Sequence, residues 1–420
     1  MKIGIIGSGG REHALCEALI KSNKVNKIYC FPGNGGTSKI AENIDLNLKD
    51  YNNLKDFILE KKIDLTIVGP ENHLVDGIVD FLENYNIKVF GPNKYAAQLE
   101  GSKIFTKNLC KKLNIPTANF GVYEDIESSS EFLKNCAFPI VIKADCLAAG
   151  KGVFICENLH QAQKAVDQIF DGKFGKTNQV LIEEFLNGEE MSFFVISDGK
   201  NYKKFGTAQD HKRVFEGDKG LNTGGMGAYS PSRLENKVLD KKIFTKIIEP
   251  TLNYLKTNCK NFKGFLYAGL MIRNNEPFLI EYNVRMGDPE CQTILPRLKT
   301  DFFQIINSAV NENLDTQEIE WHDEKTLCIV LCSKGYPEKY LSNIEIPNLE
   351  NLNLEKNSYI FHAGTKKQNQ TTLSNGGRVL NFVSKADNFK TARKNSIHLI
   401  KKLNWSNGFF RNDIGFKVIE

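Results

Sequence analysis

The sequence predicts a multidomain protein that joins an α/β part to α+β parts. Three observations carry that expectation. At 420 residues the chain exceeds what one hydrophobic core usually supports, so about two to four domains are expected. Residues 1–92 alternate strand and helix patterns, which predicts a parallel sheet flanked by helices. Farther on, apolar strands come in hairpin order, as at Phe265–Ile272 and Phe278–Val284 on either side of Asn274-Asn275.

In the first part Lys2–Ile6, Lys27–Phe31, Leu65–Val68 and Lys88–Phe90 read as strands. Glu12–Lys21, Leu54–Lys61 and Val75–Tyr85 read as the helices between them. The strands end in the turns GSGG, PGNGG, VGPE and FGPN. Ligands of open α/β sheets bind beyond the carboxyl ends of the strands, so these turns are site candidates. Gly7-Ser8-Gly9 begins like a dinucleotide fingerprint, but Glu12 stands where the third glycine belongs. Pro32-Gly33-Asn34 after the second strand supplies no acid for a ribose hydroxyl, so a nicotinamide or flavin is not expected. The helix start at Gly9, Gly10 and Arg11 remains a seat for a phosphate.

Residues 101–190 open with a helix at Ile104–Leu113 and a break at Ile115-Pro116. Strands follow at Pro139–Lys143, Gly152–Cys156 and Gln179–Glu184, with a helix at Leu159–Phe170. The loop ADCLAAGKG is basic and glycine-containing, but Asp145 and Gly152 break the Walker A pattern. Set between two strands, such a loop can fold over a triphosphate as a lid, offering backbone N–H groups and Lys151. Next come QDHKRV (Gln209–Val214) and NTGGMGAYSP (Asn222–Pro231). The last unit has strands at Leu327–Leu331, Tyr359–His362 and Arg378–Val383, then a helix at Phe389–Leu403. No internal repeat or low-complexity linker interrupts the chain, so tightly joined domains are expected.

Composition excludes several classes. The net charge of +5 comes without a dense Lys/Arg block, which argues against nucleic acid while suiting anionic small substrates. The ten cysteines are scattered singly, with no C-x-x-C pair or zinc spacing, so buried apolar roles in a reducing, cytoplasmic setting are expected. The start MKIGIIGSGG runs straight into a strand and does not read as a signal peptide. No stretch of 18 apolar residues suggests a membrane span.

The segment FLIEYNVRMGDPE (Phe278–Glu290) is the most informative. Alternation along its strand puts Glu281, Asn283 and Arg285 on one face and Ile280, Tyr282 and Val284 on the other. A carboxylate and an amide oxygen two residues apart can ligate a hard divalent cation. The arginine can clamp a phosphate or carboxylate with two parallel hydrogen bonds. Together they point to chemistry on a nucleotide phosphate; the alternative is a half-buried edge strand with a solvated polar face.

Twelve motifs in order resemble the ATP-grasp ligases and, within them, the phosphoribosylamine–glycine ligases of purine synthesis. They are IGSGGREHAL, PGNGGT, DLTIVGPE, FGPNKYAAQLEGSK, PIVIKADCLAAGKGV, IEEFLNGEE, QDHKRV, NTGGMGAYSP, GFLYAGLMI, IEYNVRMGDPE, FHAGT and GGRVL. The resemblance covers nearly the whole chain. It implies a Rossmann-like domain at 1–100, an ATP-grasp domain at 101–325 with a lid at about 120–190, and a small mixed α/β domain at 326–420. It also implies a ligase joining glycine to 5-phosphoribosylamine through glycyl phosphate, with ATP as co-substrate and Mg²⁺ or Mn²⁺ as cofactor. No nucleic acid or membrane partner is expected; a transient contact with the enzyme supplying phosphoribosylamine is.

By the same resemblance Lys103 and Lys143, with Lys151 of the lid, hold the ATP phosphates, unless the first two are surface lysines. Glu183, Glu184, Phe185 and Leu186 form the hinge that meets adenine, and Glu190 binds ribose hydroxyls; a capped strand end with solvated acids is the alternative. Glu281 and Asn283 bind the metal, and Arg285 steadies the acyl phosphate. Asp210, Lys212 and the backbone of Gly225, Met226 and Gly227 surround glycine. Gly9, Gly10, Arg11, Asn34 and Glu71 face phosphoribosylamine, with Arg378 reaching in from the last domain; for Glu71 and Arg378 a loop salt bridge is the alternative. No acid–base role falls to His13 or His211. Cys146 replaces the usual lid-loop glycine, and Val284 and Met286 replace the usual Cys and Phe. Leu270 stands where many ATP-grasp enzymes carry a metal-binding acid, leaving Asp288 or Glu290 to assist. Another ATP-grasp ligase, or a non-catalytic nucleotide-binding protein, is the competing reading.

Overall fold

The structure, a computed structural model, describes the whole chain except residues 148–151, 176, 259–260 and 420. Near the amino terminus, strands Lys2–Gly7, Lys27–Pro32, Glu42–Asn43, Leu65–Val68 and Val89–Phe90 form a parallel sheet. Their spatial order is third, second, first, fourth, fifth. The order reverses between the first and fourth strands, and that switch point opens a crevice where turns 7–11 and 68–71 meet. The helix expected over Val75–Tyr85 is two, Glu71–Asp76 and Ile78–Glu83. Gly77 between them takes φ 93°, a left-handed conformation that ends the first helix.

A second, antiparallel sheet runs Phe120–Tyr123, Val180–Glu184, Ile140–Ala144, Val153–Cys156. Helices Ile126–Lys134 and Leu159–Phe170 cover it, burying Leu133, Ile142, Val166, Ile169 and Ile182. The loop expected to act as a lid leaves this sheet after Ala144; Lys151 lies outside the described residues.

The largest sheet is antiparallel and runs Glu276–Asn283, Lys263–Arg273, Glu189–Asp198, Tyr202–Asp210, Gly227–Ser230, Lys325–Ser333, Arg378–Ala386, Ser358–His362. The pairing of Gly227–Ser230 with Lys325–Ser333 carries it across residue 325, where the sequence suggested a boundary between units. Strand Glu189–Asp198 buries both faces: Met191, Phe193 and Val195 enter one core and Phe194 and Ile196 another. Such a strand reads as an unbroken apolar run without alternation. Helix Phe389–Leu403 packs on the last strands. Asn274 (φ 50°) and Asn275 (φ 59°) make the tight turn of the hairpin Lys263–Arg273/Glu276–Asn283. No helix among the described residues is long and apolar enough to cross a membrane.

Candidate active site

The three sheets enclose a cleft of about 890 Å³. Strand Glu276–Asn283 supplies one wall. Its register slips by one residue opposite Gly269/Leu270, a β-bulge. Strict alternation therefore fails at Ile280, which borders the cleft beside Glu281 instead of joining Tyr282 and Val284 in the core. Neither the Glu281 nor the Asn283 side chain hydrogen-bonds another described residue. Burial pushes the Glu281 carboxyl up, but Lys212, Lys143, Lys103 and Arg285 together hold it below the ordinary glutamate range.

Arg285 is committed on three sides. Its Nε donates to Glu71 Oε2 (3.1 Å), Nη2 to Glu100 Oε1 (2.6 Å) and Nη1 to the Met286 carbonyl (3.3 Å). The guanidinium pulls the Glu71 carboxyl down to about 2. Burial pushes Glu100 up to about 7 in spite of the same arginine. Glu71 thus makes the salt bridge that the sequence left open, and it does so on the cleft wall. Glu100, which also accepts the Val284 N–H at 2.8 Å, went unremarked in the sequence.

The lysines come from two elements. Lys103 and Lys107 lie one turn apart on helix Lys103–Leu113 and face the same way. Lys103 Nζ donates to the Cys146 carbonyl at 2.9 Å. Asp145 next to it accepts from Ser102 Oγ and the Ile104 N–H, which pins the lid loop to the helix start. Lys107, 2% exposed, and Lys143 both contact the Glu183 carboxylate, at 3.1 and 3.0 Å. Lys107 was missed too, although the i,i+4 spacing from Lys103 was its signal. The Glu183 side chain is thereby taken by two lysines, and Glu184 accepts from Asn119 N and Nδ2. Phe185 and Leu186 stay on the cleft wall.

Opposite, Glu190 accepts from Lys212 Nζ at 2.6 Å. Asp210 lies beside them; burial lifts its carboxyl to about 7 against the pull of Lys212, with Glu290 and Glu190 adding repulsion. Gly225, Met226 and Gly227 do not line the cleft, a correction to the sequence reading. Met226 is fully buried, and a Cβ on Gly227 would stand 2.5 Å from the Cys328 carbonyl, because this segment enters the large sheet. Thr223 and Gly224 form the wall there.

At the switch point Gly9 and Arg11 border the cleft. Glu12 folds back under the turn: its Oε2 accepts the Gly9 N–H at 2.6 Å and Oε1 accepts Arg11 Nε at 2.6 Å. A Cβ on Gly69 would stand 2.0 Å from this carboxylate, so Glu12 fills the space that a dinucleotide turn leaves to backbone. Gly10 faces away, packed against Asn381 and Gln292. Asn34 is also behind the wall. Its Nδ2 reaches the Ser8, Gly9 and His362 carbonyls, and its Oδ1 accepts from Gly36 and Thr37 N–H, so it ties strand ends together. Arg378 reaches the cleft and donates to the Gly224 and Asp288 carbonyls, each at 2.5 Å.

Asp288 accepts from the Arg11 N–H and Gln292 Nε2 and faces Arg378, which leaves it little for a metal. Leu270 is buried in the core and supplies no ligand. Among the described residues no three His, Cys, Asp or Glu side chains cluster as a metal site. The one carboxylate of Glu281 and the one amide oxygen of Asn283 are donor types that a small hard cation takes, and these two residues would hold it. His13 Nδ1 accepts the His362 N–H (2.8 Å) and His211 Nε2 the Gly415 N–H (3.1 Å), so both braces are structural.

Comparison with known proteins gives one answer along the chain. The descriptions "Phosphoribosylglycinamide synthetase, N domain", "ATP-grasp (A) domain" and "C domain" match residues 1–100, 101–291 and 326–417. A phosphoribosylamine–glycine ligase of Brucella melitensis is 44% identical over 421 aligned residues, covering 100% of this chain and 99% of that one. The crystal structure of phosphoribosylamine–glycine ligase from Thermotoga maritima superposes with a TM-score of 0.86 at 32% identity, covering 99% of this chain and 100% of that one. A biotin carboxylase from Campylobacter jejuni, in a complex with β,γ-ATP, shares the fold alone (TM-score 0.71, 14% identity, 96% and 95% covered). Sequence along the whole length and fold agree: the chain belongs to the phosphoribosylglycinamide synthetase family of ATP-grasp enzymes.

Proposed function

We propose that this chain is the ATP-dependent ligase that joins glycine to 5-phosphoribosylamine, giving glycinamide ribonucleotide, ADP and phosphate in purine synthesis. The observation that carries the reading is that Lys103, Lys143, Lys212 and Arg285 line one cleft together with Glu281 and Asn283, a cleft that Gly9, Arg11 and Glu71 also border. A carboxylate resists attack by an amine because its oxygen leaves poorly; transfer of the γ-phosphoryl group to glycine gives glycyl phosphate, whose phosphate leaves readily. Catalysis of such transfer is mostly positioning and charge stabilisation. Two anions about 4 Å apart repel by about 4 kcal/mol at an effective dielectric near 20, so several cations must act together.

Lys103 and Lys143 hold the phosphates, with the lid loop over them, and Phe185 and Leu186 border adenine. Glu281 and Asn283 hold Mg²⁺ or Mn²⁺, which when bound neutralises charge on the phosphates. Arg285 steadies the acyl phosphate. Asp210 faces the glycine ammonium, and Lys212 its carboxylate. Gly9, Arg11, Glu71 and Arg378 face phosphoribosylamine. The enzyme acts in the cytoplasm, where transient contact with the enzyme making this unstable amine would shorten its exposure to water. The test is ADP release with ATP, Mg²⁺, glycine and phosphoribosylamine generated in situ, each omitted in turn. ADP and a glycinamide ribonucleotide mass appearing only with all four support the reading; ADP formed equally well with another amino acid overturns the substrate.

A further inference from the structure

The hairpin of Arg213–Phe215 and Lys219–Asn222 belongs to no larger sheet. Two strands alone are marginal in water, and of their apolar side chains Val214 alone is buried, at 3% exposed, while Phe215 is 61% and Leu221 52% exposed. Yet its base and tip bring Lys212, Arg213, Asp218 and Asn222 to the cleft wall. Something else must fix it.

Segment 411–417 does. Arg411, 1% exposed, donates through Nη1 to the Arg213 carbonyl and to Asp218 Oδ1, both at 2.9 Å. Its Nε and Nη2 each reach Asp413 at 2.8 Å, and Asp413 Oδ2 also accepts the Gly217 N–H at 2.8 Å. Asn412 N and Nδ2 both donate to Glu216 Oε1, at 3.0 and 2.9 Å. Among the described residues, the hydrogen bonds that 213–220 make beyond the hairpin all go to 411–413. Gly415 N–H holds His211, which sits between Asp210 and Lys212. Lys417 lines the cleft itself, 3.5 Å from Asp218 Oδ2.

We infer that segment 411–417 is part of the active site, with Arg411 the positioning residue that holds hairpin 213–222, and with it the adjoining Lys212, against the amino-acid substrate. The inference rests on the glycine assignment proposed above. Arginine suits the task because its planar fork serves the Arg213 carbonyl, Asp218 and Asp413 at once, which three donors on one lysine nitrogen do not.

The test compares Arg411→Ala and Arg411→Lys with the wild-type enzyme, reading kcat, KM for glycine, the ATP dissociation constant by calorimetry, and amide exchange in 213–222. Arg411→Ala is expected to raise the glycine KM and lower kcat at least tenfold each, speed exchange in the hairpin, and leave ATP affinity within twofold. Arg411→Lys should recover part of both kinetic losses. If Arg411→Ala does not fold, Asp413→Asn reads the same contacts. Unchanged hairpin exchange overturns the inference whatever the activity, as does faster exchange with glycine KM and kcat within twofold of wild type. ATP affinity falling in step with glycine affinity also overturns it, because the loss would then be general. Failure of the proposed activity shows separately, as a wild type with no glycine-dependent ADP release.

Discussion

Replacing Arg285 by methionine tests the centre of the site. The change removes three donated bonds: 3.1 Å to Glu71, 2.6 Å to Glu100 and 3.3 Å to the Met286 carbonyl. Two of these join opposite charges, worth about 1.5–3 kcal/mol each. Because the partners are largely buried and would face each other uncompensated, a net loss of about 3–5 kcal/mol is expected in urea unfolding at pH 7.5. ADP release should fall by about 10²–10³, the loss typical of one donor to developing charge. The double change Arg285→Met with Glu100→Gln separates the two effects: it removes one stranded carboxylate and should recover about half of the stability, since the cost of an unpaired buried charge is what it relieves, with no recovery of activity. A single variant losing less than about 1 kcal/mol would refute the claim that this arginine organises the buried acids. An active double variant would refute its place in the chemistry.

Buried titratable groups give slopes of opposite sign. Burial drives the His362 imidazole down to about 3, so only the unfolded chain takes its proton between about pH 6.5 and 3, and stability falls as pH falls through that window. His362→Gln should therefore reduce the slope of stability against pH by about 1 kcal/mol per unit between pH 5 and 6.5, where the unfolded imidazole is half or more protonated. Glu100, raised to about 7, binds its proton in the folded state first and loses stability as pH rises from about 4.5 to 7, so Glu100→Gln should increase that slope by a similar amount. Slopes unchanged in both variants would refute the burial argument. Of the nine described cysteines only Cys136 and Cys146 are not buried, so mass spectrometry after brief alkylation at pH 8 should find these two. ATP should protect Cys146 alone, and equal labelling with and without ATP would place the nucleotide elsewhere. Lys107→Met leaves Glu183 to Lys143 only, and calorimetry should show ATP affinity weakened about tenfold, the equivalent of roughly 1.4 kcal/mol; unchanged affinity would make Lys107 a packing residue.

What was legible in the sequence is what local chemistry encodes. Helix Leu159–Phe170 and strand Leu65–Val68 lie where hydrophobic periodicity set them. Asn274-Asn275 makes the expected turn, because asparagine tolerates the left-handed backbone that tight hairpins need. Glu12 signalled that no dinucleotide turn was present, and its side chain indeed occupies that space. The motif order also named the family. Less legible was strand Glu189–Asp198, whose burial on both faces erases alternation.

The sequence by itself determined which residues carry charge to a nucleotide site and in what order along the chain, because residue type and local spacing are one-dimensional properties. Only the tertiary structure decided which of those charges meet. Glu71 and Arg285 are 214 positions apart and become partners through the docking of the parallel sheet on the large one. Asn34, Gly10 and Met226 turned from site candidates into braces and packing, since burial depends on what the remaining elements place over them. Arg411 acquired a partner 193 residues away in Asp218, and no local pattern records such a contact. Long-range pairing is fixed by sheet register and core packing, which belong to the whole fold.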